Sequence, residues 1–220
     1  MSAIPSELRA IPPFAHFAGV ILAAGASSRM QRPKALLAWP QPGGQSFLDR
    51  CAASLARVCD PLLVVLGPDA PAIAAARPAS ASPFLRWIFN PDWACGQFSS
   101  LQAGIRALLA LGSFDAVLVC PVDHPAFSPA TAAALAAAYL PELSAPAVIK
   151  PLYDGRHGHP VLYGSRVLPA ITAAPADANA RQLQAGFADS TLSLPVADPG
   201  ILLDIDTPDD YQRLCARCAP

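Results

Sequence analysis

Two short acidic segments and one basic loop carry the residues of this chain best suited to chemistry on charged substrates. Asp123 sits in Pro121-Val122-Asp123-His124-Pro125, where the flanking prolines would hold the carboxylate stiffly. Asp204 and Asp206, in Leu203-Asp204-Ile205-Asp206-Thr207-Pro208, stand two apart, so an extended chain points both to one side. Carboxylates that close repel unless a cation or hydrogen bonds compensate. Far upstream, Leu22-Ala23-Ala24-Gly25-Ala26-Ser27-Ser28-Arg29 runs on to Lys34. Small residues let a ligand approach the backbone, and successive amides in such a turn cradle anions. Arg29 as a planar fork and Lys34 as a point charge would add positive charge. Each piece has a plainer account: a turn-forming Asp beside proline, a surface turn with two solvated cations, and a helix start at Thr207-Pro208 with Asp209 and Asp210 in its first turn. That account covers Thr207, Asp209 and Asp210 well and Asp206 poorly.

Three further segments hold polar residues at spacings of interest. Asn90 to Leu101 includes Trp93 and Gly96 and opens a helix near Ser99 and Ser100, so it offers backbone groups and a helix N-terminus to an anion. Asn90 and Trp93 serve equally as turn and packing residues. Gly155-Arg156-His157-Gly158-His159-Pro160 has two histidines but no adjacent third metal ligand, and His124 is expected to face solvent. Asn179-Ala180-Arg181 places another cation downstream. Neither GxxxxGK[ST] nor GxGxxG occurs, which excludes the P-loop and dinucleotide fingerprints.

The elements that must position these residues follow from hydrophobic rhythm. Continuous apolar runs at 19–24, 62–66, 85–89 and 116–120 read as buried strands. Helical spacing follows through Phe47, Leu48, Cys51, Leu55 and Val58, and again through Leu101, Ile105, Leu108 and Leu109. Ser128-Pro129 reads as an N-cap followed by proline at the first helical position. Such alternation predicts a three-layer α/β fold with a mainly parallel sheet covered on both faces. After Tyr139 the rhythm changes, with strands expected at 147–152, 160–163, 192–196 and 202–205 and helices near 166–173, 178–186 and after Pro208. The length of 220 residues fits a single domain over about 17–214. The chain would have an N-terminal extension (1–16) and a C-terminal tail (215–220), with two halves (17–140 and 141–214) on either side of the change in rhythm.

Composition narrows the partners. A net charge of −1 gives no electrostatic case for nucleic acid or an anionic membrane, so any phosphate site must be local. No apolar run approaches the ~20 residues of a membrane span. The first 18 residues, with Glu7 and internal prolines, do not read as a signal peptide. The expected location is the cytoplasm. The scattered cysteines agree, since Cys51 and Cys120 fall in apolar segments where the thiol packs as a small hydrophobe. Cys215 and Cys218, in the expected final helix, lack two further zinc ligands and read as inert.

The run LAAGASSRMQRPK resembles the loop of the MobA-like nucleotidyltransferases, whose pattern is close to LAAGxSxRMGxxK. Gln31 stands where that pattern has glycine, which puts the local loop geometry in question. Pro121 to Pro125 resembles the family's Asp-x-Pro segment, Asn90 to Ser100 its N-P-x-x-x-x-G-x-x-x-S stretch, Gly155 to Pro160 its GxxGHP, and Asn179 to Arg181 its (G/N)-x-R. LDIDTPDDY is nearly identical to a segment of the molybdenum cofactor cytidylyltransferase branch. The resemblance spans about residues 17–214 and implies a Rossmann-like nucleotidyltransferase fold whose first half (17–140) binds nucleotide and whose second half (141–214) binds the acceptor. It implies that Leu22, Ala23, Ala24, Gly25, Ser27, Ser28, Arg29, Lys34, Asn90, Gly96, Ser99 and Ser100 bind nucleotide. Asp123 and Asp206 would hold magnesium, and Arg29, Lys34 and Asp123 would carry catalysis. Arg156, His159 and Arg181 would face the acceptor.

The reaction implied is attack by an acceptor phosphate on the α-phosphorus of an NTP, releasing pyrophosphate. It asks the protein for positioning and charge neutralisation rather than a nucleophile or base. CTP and molybdenum-loaded molybdopterin are the favoured substrates, with a molybdoenzyme or its maturation chaperone as a further partner. The alternatives are a GTP-using guanylyltransferase, an enzyme for another small phosphorylated acceptor, and a non-catalytic cofactor-delivery protein.

Overall fold

The computed structural model describes residues 15–40, 44–77, 85–139 and 145–218, so most of the expected N-terminal extension and the last two residues lie outside the described residues. Strands β1 (Phe17–Ala23), β2 (Leu62–Leu66) and β4 (Ala116–Pro121) are buried along their whole length, and β3 (Leu85–Phe89) forms the exposed edge. All four run parallel in the order β3-β2-β1-β4, and β1, β2 and β4 are covered on both faces, as their continuous apolar runs predict. By contrast, 85–89 is not the buried strand expected, because β3 is an edge with Arg86 and Phe89 exposed. Beyond β4, strand β7 (Val161–Gly164) is antiparallel to β4 and to β5 (Val148–Tyr153). The short β6 (Arg156–His157) is antiparallel to β5, and β8 (Thr191–Pro195) is parallel to it. The sheet is thus eight-stranded, mostly parallel and flanked by helices, as the rhythm of the sequence predicts.

Alternate side chains of the strands feed two cores, one on each face. Ile21, Val64, Leu118 and Ile149 pack with Phe47, Leu48 and Leu55 of α1 (Phe47–Leu55) and with Leu135 of α4 (Pro129–Ala138). Val20, Val65, Val119 and Val148 pack on the other face against Leu101, Ile105 and Leu108 of α3 (Gln97–Leu109) and Ile171 of α5 (Leu168–Ala173). Two short helices, α2 (Ala70–Ala76) and α6 (Ala180–Ala185), and a final α7 (Pro208–Cys218) complete the set. Helix starts follow local chemistry. Ser128 caps α4 by accepting from the Thr131 amide, with Pro129 at the first helical position. Ser46 and Asp49 form a reciprocal capping box at α1. Cys51 and Cys120 are fully buried, as expected.

Two boundaries differ from expectation. Residues 202–205 are not a strand: Pro199–Leu202 forms a 3-10 turn, with the Asp198 carboxylate accepting from the Gly200 amide, and an irregular segment follows. The competing interaction is with the Asp123 turn, because the Ile205 amide donates to the Asp123 carbonyl at 3.0 Å and Ile205 is buried. The backbone is therefore spent on a turn rather than on a sheet edge. The tail expected at 215–220 is helical through Cys218, because α7 continues that far.

Glycine allows one close approach that shapes the active end of the sheet. A Cβ on Gly67, just after β2, would lie 2.2 Å from the Ala24 carbonyl oxygen, so the loops after β1 and β2 touch backbone to backbone. Gly67→Ala is expected to destabilise the protein by about 1–3 kcal/mol, because the clash is with backbone that cannot rotate away. Thermal unfolding should show a midpoint lower by roughly 3–10 °C, and an unchanged midpoint would refute the close-packing argument.

Candidate active site

In the order β3-β2-β1-β4, the chain leaves β1 towards β2 on one side, while β4 lies on the other. A crevice at such a switch point, beyond the carboxyl ends of the strands, is where open α/β sheets bind ligands. The register pairs Leu22 with Pro121, and the Val122 amide donates to the Leu22 carbonyl at 3.0 Å, so the loop at Ala24 and the turn at Asp123 emerge side by side.

Ser27 organises the basic loop. Its carbonyl accepts from the amides of Met30 and Gln31, and its hydroxyl accepts from the Lys34 amide at 3.1 Å. Met30 is buried in the core and anchors the loop from beneath. Ser27 and Gln31 have φ of 46° and 56°, a left-handed conformation that costs a non-glycine residue roughly 1–2 kcal/mol. The glycine of the family pattern at position 31 thus reflects a backbone requirement that Gln31 meets under strain.

Lys34 occupies the centre of the site. Its ammonium donates to Asp123 Oδ2 at 2.9 Å and to Asp206 Oδ1 by a shorter contact, and Arg29 Nη2 lies 3.0 Å from Asp206 Oδ2. Burial alone would lower the Lys34 pKa, but the two carboxylates outweigh it and hold the ammonium above its ordinary value. Asp206 is likewise penalised by burial yet held below the usual carboxylate range by Lys34 and Arg29. Asp204 moves the other way: burial and then the charge of Asp123 raise its carboxyl. A ligand atom from each of Asp123, His124 and Asp204 lies within 4.8 Å of the others, so Asp204 also approaches the Asp123 turn.

These groups open into a cavity of about 350 Å³. Leu22, Ala23, Ala24, Gly25, Ser27, Ser28, Arg29, Lys34, Gly96, Ser100, Asp123 and Asp206 all line it, so the structure gathers most of the nucleotide and metal residues expected from sequence. Asn90 and Ser99 stand behind the wall. The buried Asn90 amide donates to the hydroxyls of Ser99 and Ser100 at 2.9 and 3.0 Å, fixing the start of α3. Trp93, Asp69 and Gln97 also line the cavity. Asp69 carries no sequence signal beyond following β2.

A second cavity of about 1100 Å³ adjoins the first through Leu22, Gly96, Gln97 and Pro121. His159 and Arg181 line it, whereas Arg156, exposed on β6, lines neither cavity. His159 is not a cation there. Burial, then the neighbouring His124, pushes its pKa down to about 3 against a hydrogen bond to the Val119 carbonyl, and Arg181 adds to the effect. His124 does not simply face solvent: its ring lies 4.6 Å from the His159 ring, and the Nδ1 atoms of both are buried without a hydrogen-bond partner among the described residues.

Residues 19–191 match the MobA-like NTP transferase domain. The chain belongs to that family. It is 30% identical over 192 residues to the molybdenum cofactor cytidylyltransferase of Escherichia coli (strain K12), covering 87% of this chain and 92% of the relative. It is 29% identical over 201 residues to the purine catabolism protein PucB of Bacillus subtilis (strain 168), covering 89% and 94%. A protein of Mycobacterium tuberculosis H37Rv, solved as a complex with manganese, superposes with a TM-score of 0.65 at 25% identity, covering 92% of this chain and 99% of that one. The chain is a nucleotidyltransferase, and no helix among the described residues is long and apolar enough to cross a membrane.

Asp123→Ala should reduce turnover, measured as pyrophosphate release, at least about a hundredfold. Lys34 keeps Asp206 as a partner, so the unfolding midpoint should move by no more than about 4 °C. Turnover within twofold of the parent would exclude this cluster as the catalytic centre. Gln31→Gly should leave the midpoint unchanged or raise it, by up to about 1 kcal/mol of unfolding free energy, while a drop on thermal unfolding would show that the Gln31 side chain matters more than its backbone.

Proposed function

We propose that this protein transfers CMP from CTP to the phosphate of molybdenum-loaded molybdopterin, releasing pyrophosphate. The observation that carries the transfer is the cluster of Arg29, Lys34, Asp123 and Asp206 at the switch-point cavity. Backbone amides of the Ala23–Ser28 turn, with Arg29 and Lys34, hold the triphosphate, as a loop of small residues beside two cations is suited to do. The pterin acceptor takes the adjoining cavity, which at about 1100 Å³ is roomy enough for a pterin and its substituents. The match to the cytidylyltransferase over 87% of this chain supports both substrates.

A divalent cation fits the first cavity. Its lining has two cations, Arg29 and Lys34, against three carboxylates, Asp69, Asp123 and Asp206, so one positive charge is lacking before any triphosphate enters. Asp123 and Asp206 face each other across a single ammonium and offer the hard oxygen donors that magnesium prefers, with Asp204 near Asp123. When bound, the ion neutralises charge on the phosphates. Asp123 and Asp206 would hold it, Lys34 and Arg29 would orient the phosphates, and the acceptor phosphate, already an anion, would attack without a protein base.

The test is a panel of CTP, GTP, ATP and UTP with molybdopterin loaded with molybdate, in the presence and absence of Mg2+, following pyrophosphate. CTP is expected to give kcat/KM at least about tenfold above the others, with chelation abolishing turnover. GTP as the preferred nucleotide would replace the cytidylyl reading by the guanylyl one. Turnover only with phosphorylated acceptors lacking a pterin would remove the acceptor assignment.

A further inference from the structure

Lys150 is a cation inside the strand β5, in a run that is otherwise apolar from Ala147 to Leu152. Period-two alternation puts it on the same face as the buried Val148, and the parallel ladder sets it beside Ser193 of β8. Lys150, Ser193, His157 and Arg181 all line the second cavity. His157 bonds to the Ser193 hydroxyl at 2.8 Å. Among the described residues neither Lys150 nor Arg181 has an ion-pair partner; Lys150 is half-buried, whereas Arg181 is an exposed residue at the cavity mouth.

The charges of the two cavities are opposed. The first has two cations against three carboxylates and calls for a cation, whereas the second has Lys150 and Arg181 against Asp177 alone and calls for an anion. The attacking phosphate of an acceptor must lie where the cavities meet, at Leu22, Gly96, Gln97 and Pro121. Lys150 and Arg181 are not among those residues, so they address a different part of the acceptor. Unpaired cations lining a cavity stabilise a bound anion by charge-assisted hydrogen bonds.

We propose that Lys150, on the same cavity as Arg181, recognises a second anionic group on the acceptor, distinct from the phosphate that reacts. This rests on the function proposed above, under which that group is the oxyanionic metal–dithiolene centre, so Lys150 distinguishes metal-loaded from metal-free acceptor. Lys150 binds and positions, and does no chemistry itself.

The experiment measures KM for the acceptor and for CTP with the parent protein, Lys150→Met and Lys150→Arg, using molybdopterin with and without bound molybdate. The parent is expected to show an acceptor KM at least about tenfold lower for the metal-loaded form. Lys150→Met should erase that preference by raising the KM for the loaded form alone, with the CTP KM moved less than about twofold, and Lys150→Arg should restore most of it. A parent that binds both forms equally overturns the proposal without recourse to any variant. So does a Lys150→Met protein that keeps the preference, or one whose CTP KM rises in step with the acceptor KM. Absence of parent turnover with either acceptor overturns the proposed function together with this inference, whereas parent turnover with an unaffected Lys150→Met variant overturns this inference alone.

Discussion

One ammonium group joins the parts of this structure that matter for chemistry. Lys34 reaches Asp123 and Asp206, 89 and 172 positions away along the chain, so the loop after β1, the turn after β4 and the segment before α7 close on a common centre. The side chains are 13%, 22% and 30% exposed, respectively. The pairs therefore lie between exposed ion pairs, worth about 0–1 kcal/mol, and buried ones, where loss of a partner costs about 3–5 kcal/mol. Two carboxylates brought this close would repel without the cation. The same arrangement that stabilises the closed chain leaves a cavity whose own charges are one cation short.

Much of that centre was legible in the sequence, and for local reasons. The strands announce themselves as unbroken apolar runs, and their carboxyl ends then pick out Ala24 and Asp123 without any knowledge of the three-dimensional packing. The loop at Gly25 to Lys34 was legible because small residues and positive φ leave a compositional trace, even with Gln31 in place of glycine. Asp206 was legible as a carboxylate that helix-capping chemistry did not explain.

What was not legible depended on tertiary context. Residues 202–205 have the composition of a strand, but the hydrogen bond from Ile205 to Asp123 competes successfully for the backbone. His124 departs from the solvent exposure its sequence suggests because its ring partner, His159, is 35 positions away, and no local pattern reports that contact. Arg156 sits beside the GHP segment yet lies on the exposed face of β6, since alternation along a two-residue strand is too short to read. Lys150 did leave a signal, a charge within an apolar strand, but its meaning required the neighbouring β8 and α6 to define a cavity wall. Asn90 belongs to the segment that borders the cavity but builds its wall from behind.

The division of charge between the cavities gives the site a direction. Substrates that are both polyanions repel each other, and an enzyme that joins them must neutralise each before contact. Here one chamber is arranged around acidic groups that call for a cation, and the other around unpaired basic groups. The four residues shared by both, Leu22, Gly96, Gln97 and Pro121, carry no ionisable side chain. A border of that kind supplies neither nucleophile nor base, and it lets a phosphate approach a phosphorus atom without competing salt bridges. Such an arrangement suits direct transfer between two bound partners, in which the barrier falls through orientation and neutralised charge rather than through covalent participation of the protein. The neutral His159 is consistent with this division. His159 lies against His124, the residue that follows Asp123, so an imidazole held neutral adds no positive charge beside the acidic cluster.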